Sequence, residues 1–378
     1  MHKIKGMAKI LIVGAGFAGC VCARTLAEAG HDIYLIEKRQ HIGGNAYDSV
    51  DSIGVLVHTY GPHIFHTNST EVVGFLSRFT QWSKYEHRVL ARVDGKLYPI
   101  PINRTTLEAF FGVELPSEME AGNLLNRLRE KRLPAKNSEE AVLNSVGQKI
   151  YRSFFEGYSL KQWGVSPAEL DTSVCARIPT RLNTDDRYFT DFFQAVPKDG
   201  FFRLFKRMLE HENITHECGQ AYEKQMEKGF EHLIWTGAID SFYGYSYGKL
   251  PYRGINFEHI QLPDTDTAQP AGTINEPSKD VPYTRTTEFK HLTGQRCKGT
   301  SILREYPTSG DCAEPAYPVP CEKSKRTYKL YEQKAKEDQN VTFVGRMALY
   351  RYLNMDATVS AALDACSKLL SRPALEPR

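Results

Sequence analysis

A glycine-rich turn between a short apolar segment and a helix is the feature that most constrains the fold. Ile10–Val13 is typical of a buried parallel strand and leads directly into a G-x-G-x-x-G motif at residues 14–19, which opens an alanine-rich helix. The first glycine permits a tight turn, the second lets a pyrophosphate approach the backbone, and the third lets helix and strand pack closely. A second predicted strand, residues 32–36, ends at Glu37, which can accept hydrogen bonds from a ribose diol. The segment therefore predicts a Rossmann-type domain that binds an adenine dinucleotide.

A second glycine pair indicates which dinucleotide is bound. Glu37 is followed by Lys38 and, after four more residues, by Gly43-Gly44-Asn45, an E-x5-G-G spacing. This spacing resembles the signature of FAD enzymes of the glutathione-reductase and amine-oxidase type, in which the cofactor extends further across the domain. An ordinary β-turn is the alternative, because Gly-Gly is common in turns. We predict FAD.

Length and charge exclude several classes of protein. A chain of 378 residues exceeds a single compact core and predicts two or three domains. The net charge of +3 comes from 48 basic and 45 acidic residues that are mixed along the chain, which argues against a nucleic-acid surface. The first apolar segment is too short to span a membrane. The eight cysteines show no metal-binding spacing. Because the chain is long and no secretion signal is recognised in it, we expect reduced thiols and a cytoplasmic protein.

The remaining pattern predicts an α/β protein whose Rossmann-type FAD-binding domain is discontinuous, with an inserted helical domain and an antiparallel β-sheet domain. Residues 89–98 form a hairpin around Asp94-Gly95, and Pro99 and Pro101 end its second strand. Helices begin near Ser117 and Asn137, which have capping-box spacing to acids three residues later. Further strands are predicted at residues 231–235, 281–289, 301–305 and 341–344, a final helix at 357–370, and a mobile loop at 263–279.

This organisation suggests three domains. The predicted FAD-binding domain comprises residues 1–81, 194–240 and 320–378. The helical domain comprises residues 104–193 and carries a mobile substrate loop. The sheet domain comprises residues 82–103 and 241–319.

Aromatic and arginine side chains are concentrated in a few segments. Residues 154–164 carry too many aromatics for one helix face, so some should line a cleft where a flat base can stack, although a core between domains is the alternative. Arg177 lies on a proline-containing loop, where a solvated surface residue is the ordinary interpretation. Tyr283 and Arg285 are predicted on one strand face. Arginine forks and tyrosine hydroxyls that converge would suit a diphosphate.

Three histidines, His58, His63 and His66, lie close together in the sequence. Their spacing matches no metal motif, and no nearby cysteine or carboxylate completes a site, so we predict no metal. They are interpreted either as neutral imidazoles that line the flavin or as structural histidines. Because no Ser-His-Asp or nucleophilic cysteine arrangement is present in the sequence, the flavin is predicted to be the reactive group.

Several segments, taken in order, resemble the family of UDP-galactopyranose mutases of the bacterial type. They are residues 13–19, 41–45, 60–67, 157–164, 281–285, and 343–346 running on to 350–356. The likeness runs from about Lys9 to Ala365. Many flavoproteins share the glycine motif, whereas the Gly-Tyr-x-x-Lys-Gln-Trp, Val-Pro-Tyr-Thr-Arg and Tyr-Arg-Tyr-Leu-x-Met-Asp segments are far more specific.

The resemblance implies an isomerase that interconverts UDP-galactopyranose and UDP-galactofuranose by ring contraction and supplies galactofuranose for cell-surface glycans. The reaction is redox-neutral, yet it requires reduced FAD, whose N5 attacks the anomeric carbon. The expected partners are therefore UDP-galactose as substrate and an external reductant for FAD. A homodimer is also expected.

The resemblance also implies roles for individual residues. Arg177 and Arg285 would bind the diphosphate and, with His63, form the catalytic set. The phenols that help to bind the diphosphate would be Tyr188, Tyr317 and Tyr352. The uridine would be held by Phe154, Phe155, Tyr158 and Asn275, with Trp163 beside the sugar. The residues implied for FAD are Gly14, Gly16, Phe17, Ala18, Gly19, Glu37, Lys38, Gly43, Gly44, Asn45, His63, Arg346, Tyr352, Met355 and Asp356.

Two positions depart from the family pattern. Asn354 stands where many members are expected to carry an aspartate, and His87 stands where some carry an asparagine. These departures leave room for a related substrate, such as UDP-N-acetylgalactosamine.

Two other classes of protein stay open. A flavin oxidoreductase of amine-oxidase type would oxidise its substrate, but the chain lacks a second G-x-G-x-x-G for a pyridine nucleotide. A non-catalytic nucleotide-binding module would lack the convergent arginines.

The loop around Arg177 is expected to move. It has no regular pattern and lies between the Trp163-Gly164 turn and Pro179, whereas Arg285 lies on a predicted strand. A diphosphate must be held during the reaction and released afterwards. We therefore predict that Arg177 lies on a lid that closes when UDP binds.

Overall fold

The computed structural model describes residues 7–130, 134–311 and 314–371 of the chain. Its strands in chain order are β1 (Lys9–Val13), β2 (Asp32–Glu37), β3 (Asp48–Val50), β4 (Leu56–His58), β5 (Phe65–Thr67), β6 (Trp82–Lys84), β7 (Val89–Val93), β8 (Lys96–Ile100), β9 (Phe193–Pro197), β10 (Ile214–Cys218), β11 (His232–Trp235), β12 (Tyr252–Leu262), β13 (Thr273–Asn275), β14 (Arg285–Glu288), β15 (Thr300–Ser309), β16 (Pro315–Pro318) and β17 (Val341–Phe343).

The helices in chain order are α1 (Phe17–Glu28), α2 (Thr70–Leu76), α3 (Arg104–Phe111), α4 (Glu118–Leu128), α5 (Ser138–Ile150), α6 (Gly157–Trp163), α7 (Ser173–Ala176), α8 (Phe201–Leu209), α9 (Ile239–Phe242), α10 (Phe289–Thr293), α11 (Glu322–Glu337) and α12 (Met355–Leu370). A π-helical turn, Tyr151–Glu156, joins α5 to α6. None of the described helices is long and apolar enough to cross a membrane.

A parallel sheet in the order β10-β2-β1-β11-β17 forms the dinucleotide-binding part. It is covered on both faces. Ile10 and Ile12 pack into the core that contains α1, α8 and α12, whereas Leu11 packs into the core on the opposite face. A strand buried on both faces requires a continuous apolar run, which explains the sequence of β1. Because the strands come from three separate stretches of chain, this part is discontinuous, as predicted.

A second sheet has the order β16-β12-β15-β14-β13-β7-β8 and is antiparallel except where β13 runs parallel to β7. The hairpin of β7 and β8 turns at Asp94 and Gly95, which both have positive φ. The two sheets and the helices between them confirm the predicted α/β fold class. The exact domain boundaries stay a prediction.

The helical part packs through an apolar stripe on α5 and the turn that follows it. Val142, Val146, Ile150 and Phe154 are all buried in one cluster with the inner face of the β7–β8 hairpin. Ser117 and Glu120 form the predicted capping box. The Asn137 side chain caps its helix by accepting a hydrogen bond from the Glu140 N–H. The Glu140 carboxylate, however, accepts a hydrogen bond from the Lys136 N–H and not from the Asn137 N–H, so the second capping box is incomplete.

Three local predictions were wrong. Strand β8 continues through Pro99 to Ile100, because an edge strand tolerates a residue without an N–H. The predicted loop at residues 263–279 contains β13, and Glu288 accepts hydrogen bonds from its Ala268 and Gln269 N–H groups. The predicted strand at residues 281–289 is a strand only at Arg285–Glu288 and then becomes helix α10.

The prediction that Tyr283 and Arg285 share a strand face was consequently wrong. Tyr283 lies before the strand, after Pro282, which has no N–H to donate to a ladder. Its ring packs against Tyr306 and beneath the Arg304 guanidinium, 5.0 Å from its centroid. Arg285 instead lines a cavity.

Candidate active site

The glycine motif forms a tight cradle at the carboxyl end of β1. Gly14 has a φ of +104°, and a Cβ there would lie 2.1 Å from Oγ1 of Thr236. A Cβ on Gly19 would lie 1.8 Å from the Gly14 carbonyl oxygen. These two glycines are therefore required by the fold itself, as the motif predicts.

The second glycine pair packs directly against this cradle. The Gly43 N–H donates to the Ala15 carbonyl at 2.7 Å, and a Cβ on Gly44 would lie 2.9 Å from the Gly16 Cα. The Glu37 carboxylate accepts from the Ala15 N–H at 2.8 Å. Glu37 and both glycine motifs therefore form one structural unit, which an isolated β-turn would not do.

Gly16 shows that this unit fits a dinucleotide. Its φ of −82° is ordinary, and among the described residues a Cβ there would approach only the Gly44 Cα, at 3.8 Å. The protein alone therefore does not require glycine at position 16, whereas a pyrophosphate against the backbone would. Helix α1 begins there without a side-chain cap from any described residue, so its first N–H groups can bind an anion.

Other residues predicted to bind the cofactor have contacts within the protein. The Phe17 ring is buried against Phe205, with centroids 4.7 Å apart, which leaves its backbone N–H for a ligand. The exposed Lys38 forms an ion pair with Glu314 at 2.7 Å. Asn45 accepts from Arg39 at 2.9 Å. Side-chain contacts of these residues with FAD stay predictions.

A cavity of about 490 Å³ lies against strands of the second sheet and the segments around Arg177 and Arg346. Its lining includes the predicted residues His63, Tyr158, Arg177, Tyr188, Asn275, Arg285, Tyr317, Arg346, Tyr352 and Met355. Gly345, which precedes Arg346, lies against the beginning of α1, since a Cβ there would be 3.0 Å from the Ala18 Cβ. This contact connects the cavity wall to the glycine cradle.

Arg285 and Arg177 reach the cavity from different elements. Arg285 begins β14, and its Nε donates to Oε1 of Glu305 at 2.7 Å, where Glu305 is fully buried. Arg177 follows the short helix α7, a turn that the sequence did not predict, and its guanidinium lies 4.4 Å from the centroid of the Tyr352 ring. One arginine is therefore fixed by a buried acid, and the other lies against an aromatic ring.

The aromatic segment lines a smaller cavity of about 70 Å³ that shares walls with the first. Phe155, Tyr158, Trp163 and Asn275 line it, as does Phe154. Phe154 is only 5% exposed and packs edge-on to Tyr98 and Phe110, so it belongs mainly to the core. Phe154 thus fits the prediction of a core between domains, whereas Phe155 and Tyr158 fit the prediction of a cleft.

The three histidines have three different environments. Nδ1 of His63 bonds to the Gly61 carbonyl at 2.8 Å and must therefore carry the proton, and burial lowers the pKa of His63 to about 4. His58 lies behind it and accepts from the His63 N–H at 2.9 Å. His66 pairs with Asp191 at 2.8 Å. His63 is accordingly neutral, and none of the described residues bonds to its Nε2. Whether it lines a flavin stays a prediction. The described residues contain no cluster that could hold a metal ion.

Sequence reasoning missed several residues of the cavity. Glu305, which holds Arg285, is the last residue of a predicted strand, and an acid at a buried alternating position was the available signal. Asp191 and Thr273 line the cavity without having been assigned to the site. His66 lines it too, although the sequence left it between a flavin-lining and a structural role. His87 and Asn354, noted only as departures from the family pattern, also line it.

Comparison with known proteins identifies the family. A model of the UDP-galactopyranose mutase family matches residues 153–352, and a model of NAD(P)-binding Rossmann-like domains matches residues 12–79. A dTDP-fucopyranose mutase of Escherichia coli is 39% identical over 373 residues, covering 96% of this chain and 98% of that protein. A probable UDP-galactopyranose mutase of Klebsiella pneumoniae is 39% identical over 368 residues, covering 96% and 94%.

Solved structures agree on the fold. The crystal structure of a reduced UDP-galactopyranose mutase has a TM-score of 0.78 at 20% identity and covers 96% of both chains. The match to Rossmann-like domains supports a dinucleotide-binding region at residues 12–79. Since the family model covers more than half of the chain and relatives at 39% identity match nearly all of it, the resemblance seen in the sequence is confirmed: the chain is an enzyme of the UDP-galactopyranose mutase family.

Proposed function

We propose that this protein is a flavin-dependent isomerase that interconverts UDP-galactopyranose and UDP-galactofuranose. The observation that carries the proposal is the convergence of Arg177 and Arg285, from separate elements, on one cavity beside the glycine cradle. Planar guanidinium groups are suited to a diphosphate, and they stabilise the charge that a departing diphosphate develops.

The cavity walls divide into a diphosphate part and a nucleoside part. Tyr317 and Tyr352 stack with centroids 5.5 Å apart, and the Arg346 guanidinium lies 5.0 Å from the Tyr317 ring. These groups and the two arginines supply the donors for the diphosphate. The smaller cavity, with Phe155 and Tyr158, suits the flat uracil base.

The chain's own residues would hold FAD in an extended form. Glu37 would accept from the ribose, the N-terminus of α1 would bind the pyrophosphate, and His63, Arg346 and Met355 would surround the flavin ring. When bound and reduced, FAD would supply its N5 as the nucleophile at the anomeric carbon. Neutral His63, with Nδ1 committed to Gly61, presents an acceptor without adding a positive charge at neutral pH.

A second candidate substrate is dTDP-fucopyranose. The chain is equally identical, at 39%, to a dTDP-fucopyranose mutase and to a probable UDP-galactopyranose mutase. The same ring contraction and the same diphosphate contacts would serve both sugars. UDP-N-acetylgalactosamine is a third substrate to be compared, because His87 and Asn354 both line the cavity.

The test is a comparison of all three sugar nucleotides with dithionite-reduced protein, with products separated by chromatography. We expect the highest kcat/KM with UDP-galactopyranose. A higher value with dTDP-fucopyranose would reassign the substrate within the same chemistry, whereas net oxidation of any sugar would favour an oxidoreductase. A homodimer, an external reductant and a cytoplasmic location stay predictions.

A further inference from the structure

The ammonium of Lys161 lies in a cage of backbone carbonyl groups. Lys161 is the lysine of the specific Gly-Tyr-x-x-Lys-Gln-Trp segment, and the proposed reaction does not use it. Among the described residues, its acceptors come from residues 276–283, which connect β13 to β14. They are the carbonyl oxygens of Glu276 at 2.6 Å, Ser278 at 2.7 Å, Val281 at 2.8 Å and Tyr283 at 3.0 Å.

The same face of α6 meets this connection through a glycine. Gly157 is one helical turn before Lys161, and a Cβ there would lie 2.3 Å from the Pro277 carbonyl oxygen. The backbone of α6 therefore packs directly on the backbone of the connection at Gly157, and one turn later the Lys161 ammonium binds the carbonyl groups of the same connection. The Glu276 carboxylate pairs with Arg92 at 3.0 Å, so carbonyl dipoles are the groups in direct contact with the lysine charge.

The connection has a residue of the proposed substrate site at each end. Asn275 ends β13 and Arg285 begins β14, and both line the cavity. Helix α6 contributes Tyr158 and Trp163 to the lining of the smaller cavity, which Asn275 and Arg285 also line. Only nine residues separate Asn275 from Arg285 in the sequence, so the shape of the connection determines how the two side chains sit relative to α6.

We propose that Lys161 is a positioning residue whose ammonium acts as a built-in monovalent cation. The ammonium holds residues 276–283 around itself through their carbonyl groups. It thereby fixes the positions of Asn275 and Arg285 relative to Tyr158. The choice of UDP as the ligand in the test rests on the proposed function, whereas the contacts of the Lys161 ammonium do not depend on it. Rings of carbonyl oxygens bind potassium and ammonium ions well. Truncating the lysine should therefore leave a site that a free ammonium ion can fill.

The experiment compares three variants by UDP affinity, with ammonium chloride or tetramethylammonium chloride added at equal ionic strength. Lys161→Ala should raise the Kd for UDP by about tenfold or more, because several charge-assisted hydrogen bonds are lost. Ammonium should restore most of the affinity, and tetramethylammonium, which is too large and cannot donate, should not. Lys161→Met should show the same loss without rescue, because its side chain fills the cage.

Lys279→Ala is the matched control. Lys279 belongs to the same connection, but its side chain is 57% exposed and its Nζ lies 3.6 Å from Glu156, so UDP affinity and FAD content should stay at wild-type values. Unchanged affinity in Lys161→Ala, or equal effects of the two salts on it, would overturn the proposal. Failure of the wild type to bind UDP would instead contradict the proposed function.

A measurement on the wild type covers the case in which the lysine variants do not fold. Competitive acetylation is measured across pH without UDP, read by mass spectrometry and extrapolated to the fully deprotonated amines. Lys161 should then react about tenfold or more slowly than Lys279, because the caged amine meets the reagent only after it has lost its acceptors. Equal acetylation rates would overturn the proposal whatever the substrate is.

Discussion

Replacing Arg285 with alanine should weaken both catalysis and the folded state, for reasons that can be separated. Arg285 lines the cavity, where we assign it to the diphosphate. Its Nε also donates at 2.7 Å to Glu305, whose side chain is 1% exposed, whereas that of Arg285 is 25% exposed. Among the described residues, Oε2 of Glu305 accepts no hydrogen bond, so Arg285 is the principal partner of this carboxylate.

The two effects have different magnitudes. A hydrogen bond to a charged group contributes about 1.5–3 kcal/mol. At about 1.4 kcal/mol per tenfold, its loss should lower kcat/KM by roughly 10- to 150-fold. Breaking a buried ion pair costs about 3–5 kcal/mol of stability because it leaves an uncompensated charge. Since Arg285 is partly exposed, we expect the lower end of that range, about 3 kcal/mol.

The assay combines steady-state kinetics on reduced enzyme with urea unfolding of Arg285→Ala and of Arg285→Ala/Glu305→Gln. The second substitution removes the unpaired charge, so it should restore most of the stability and none of the activity. FAD content should stay near wild type in both proteins. Near-wild-type kcat/KM in Arg285→Ala would refute the diphosphate assignment, and an unchanged free energy of unfolding would refute the argument from the buried pair.

Four further experiments test other parts of the site. Gly16→Val should abolish the flavin absorption of the purified protein by filling the pyrophosphate position, whereas Gly74→Ala, in open space on α2, should leave it intact. Arg177→Ala should lower kcat/KM at least about tenfold. UDP should change Trp163 fluorescence, because the Tyr352 ring contacts both Arg177 and Trp163, and a change that survives in Trp163→Phe would contradict the lid. Burial lowers the pKa of His87 to about 3 in the folded protein, whereas the unfolded chain binds this proton near pH 6.5. The free energy of unfolding should therefore fall as the pH falls from about 6.5 towards 3. It should fall less steeply in His87→Gln, which lacks this titrating group.

Features determined by neighbouring residues could be predicted from the sequence. The cradle at residues 14–19 and the Asp94-Gly95 turn need backbone conformations that only a few residue types adopt, and the structure has both. Strand β1 was recognisable because burial on both faces requires an uninterrupted apolar run.

Features determined by distant partners could not be predicted. Strand β13 is short and lies in a polar stretch, and it is a strand because it pairs with β7, 184 residues earlier in the chain. The hydrogen-bond partners of Arg285 and Lys161 could not be predicted from the sequence for the same reason. The buried acid and the carbonyl cage form only when the sheets have assembled. The prediction of a strand at residues 281–289 was wrong because it rested on the alternation of apolar residues alone. That alternation does not take into account that Pro282 lacks an N–H donor or that the chain becomes helical at Phe289.

The most direct test of the central claim is the dependence of turnover on the redox state of the flavin. Purified protein is incubated with UDP-galactofuranose, either under air or after anaerobic reduction with dithionite, and UDP-galactopyranose is measured by chromatography. We predict turnover only with reduced protein, with many product molecules formed per flavin and the flavin still reduced at the end. Equal turnover by fully oxidised protein, or oxidation of one flavin for each product formed, would contradict the proposed isomerisation.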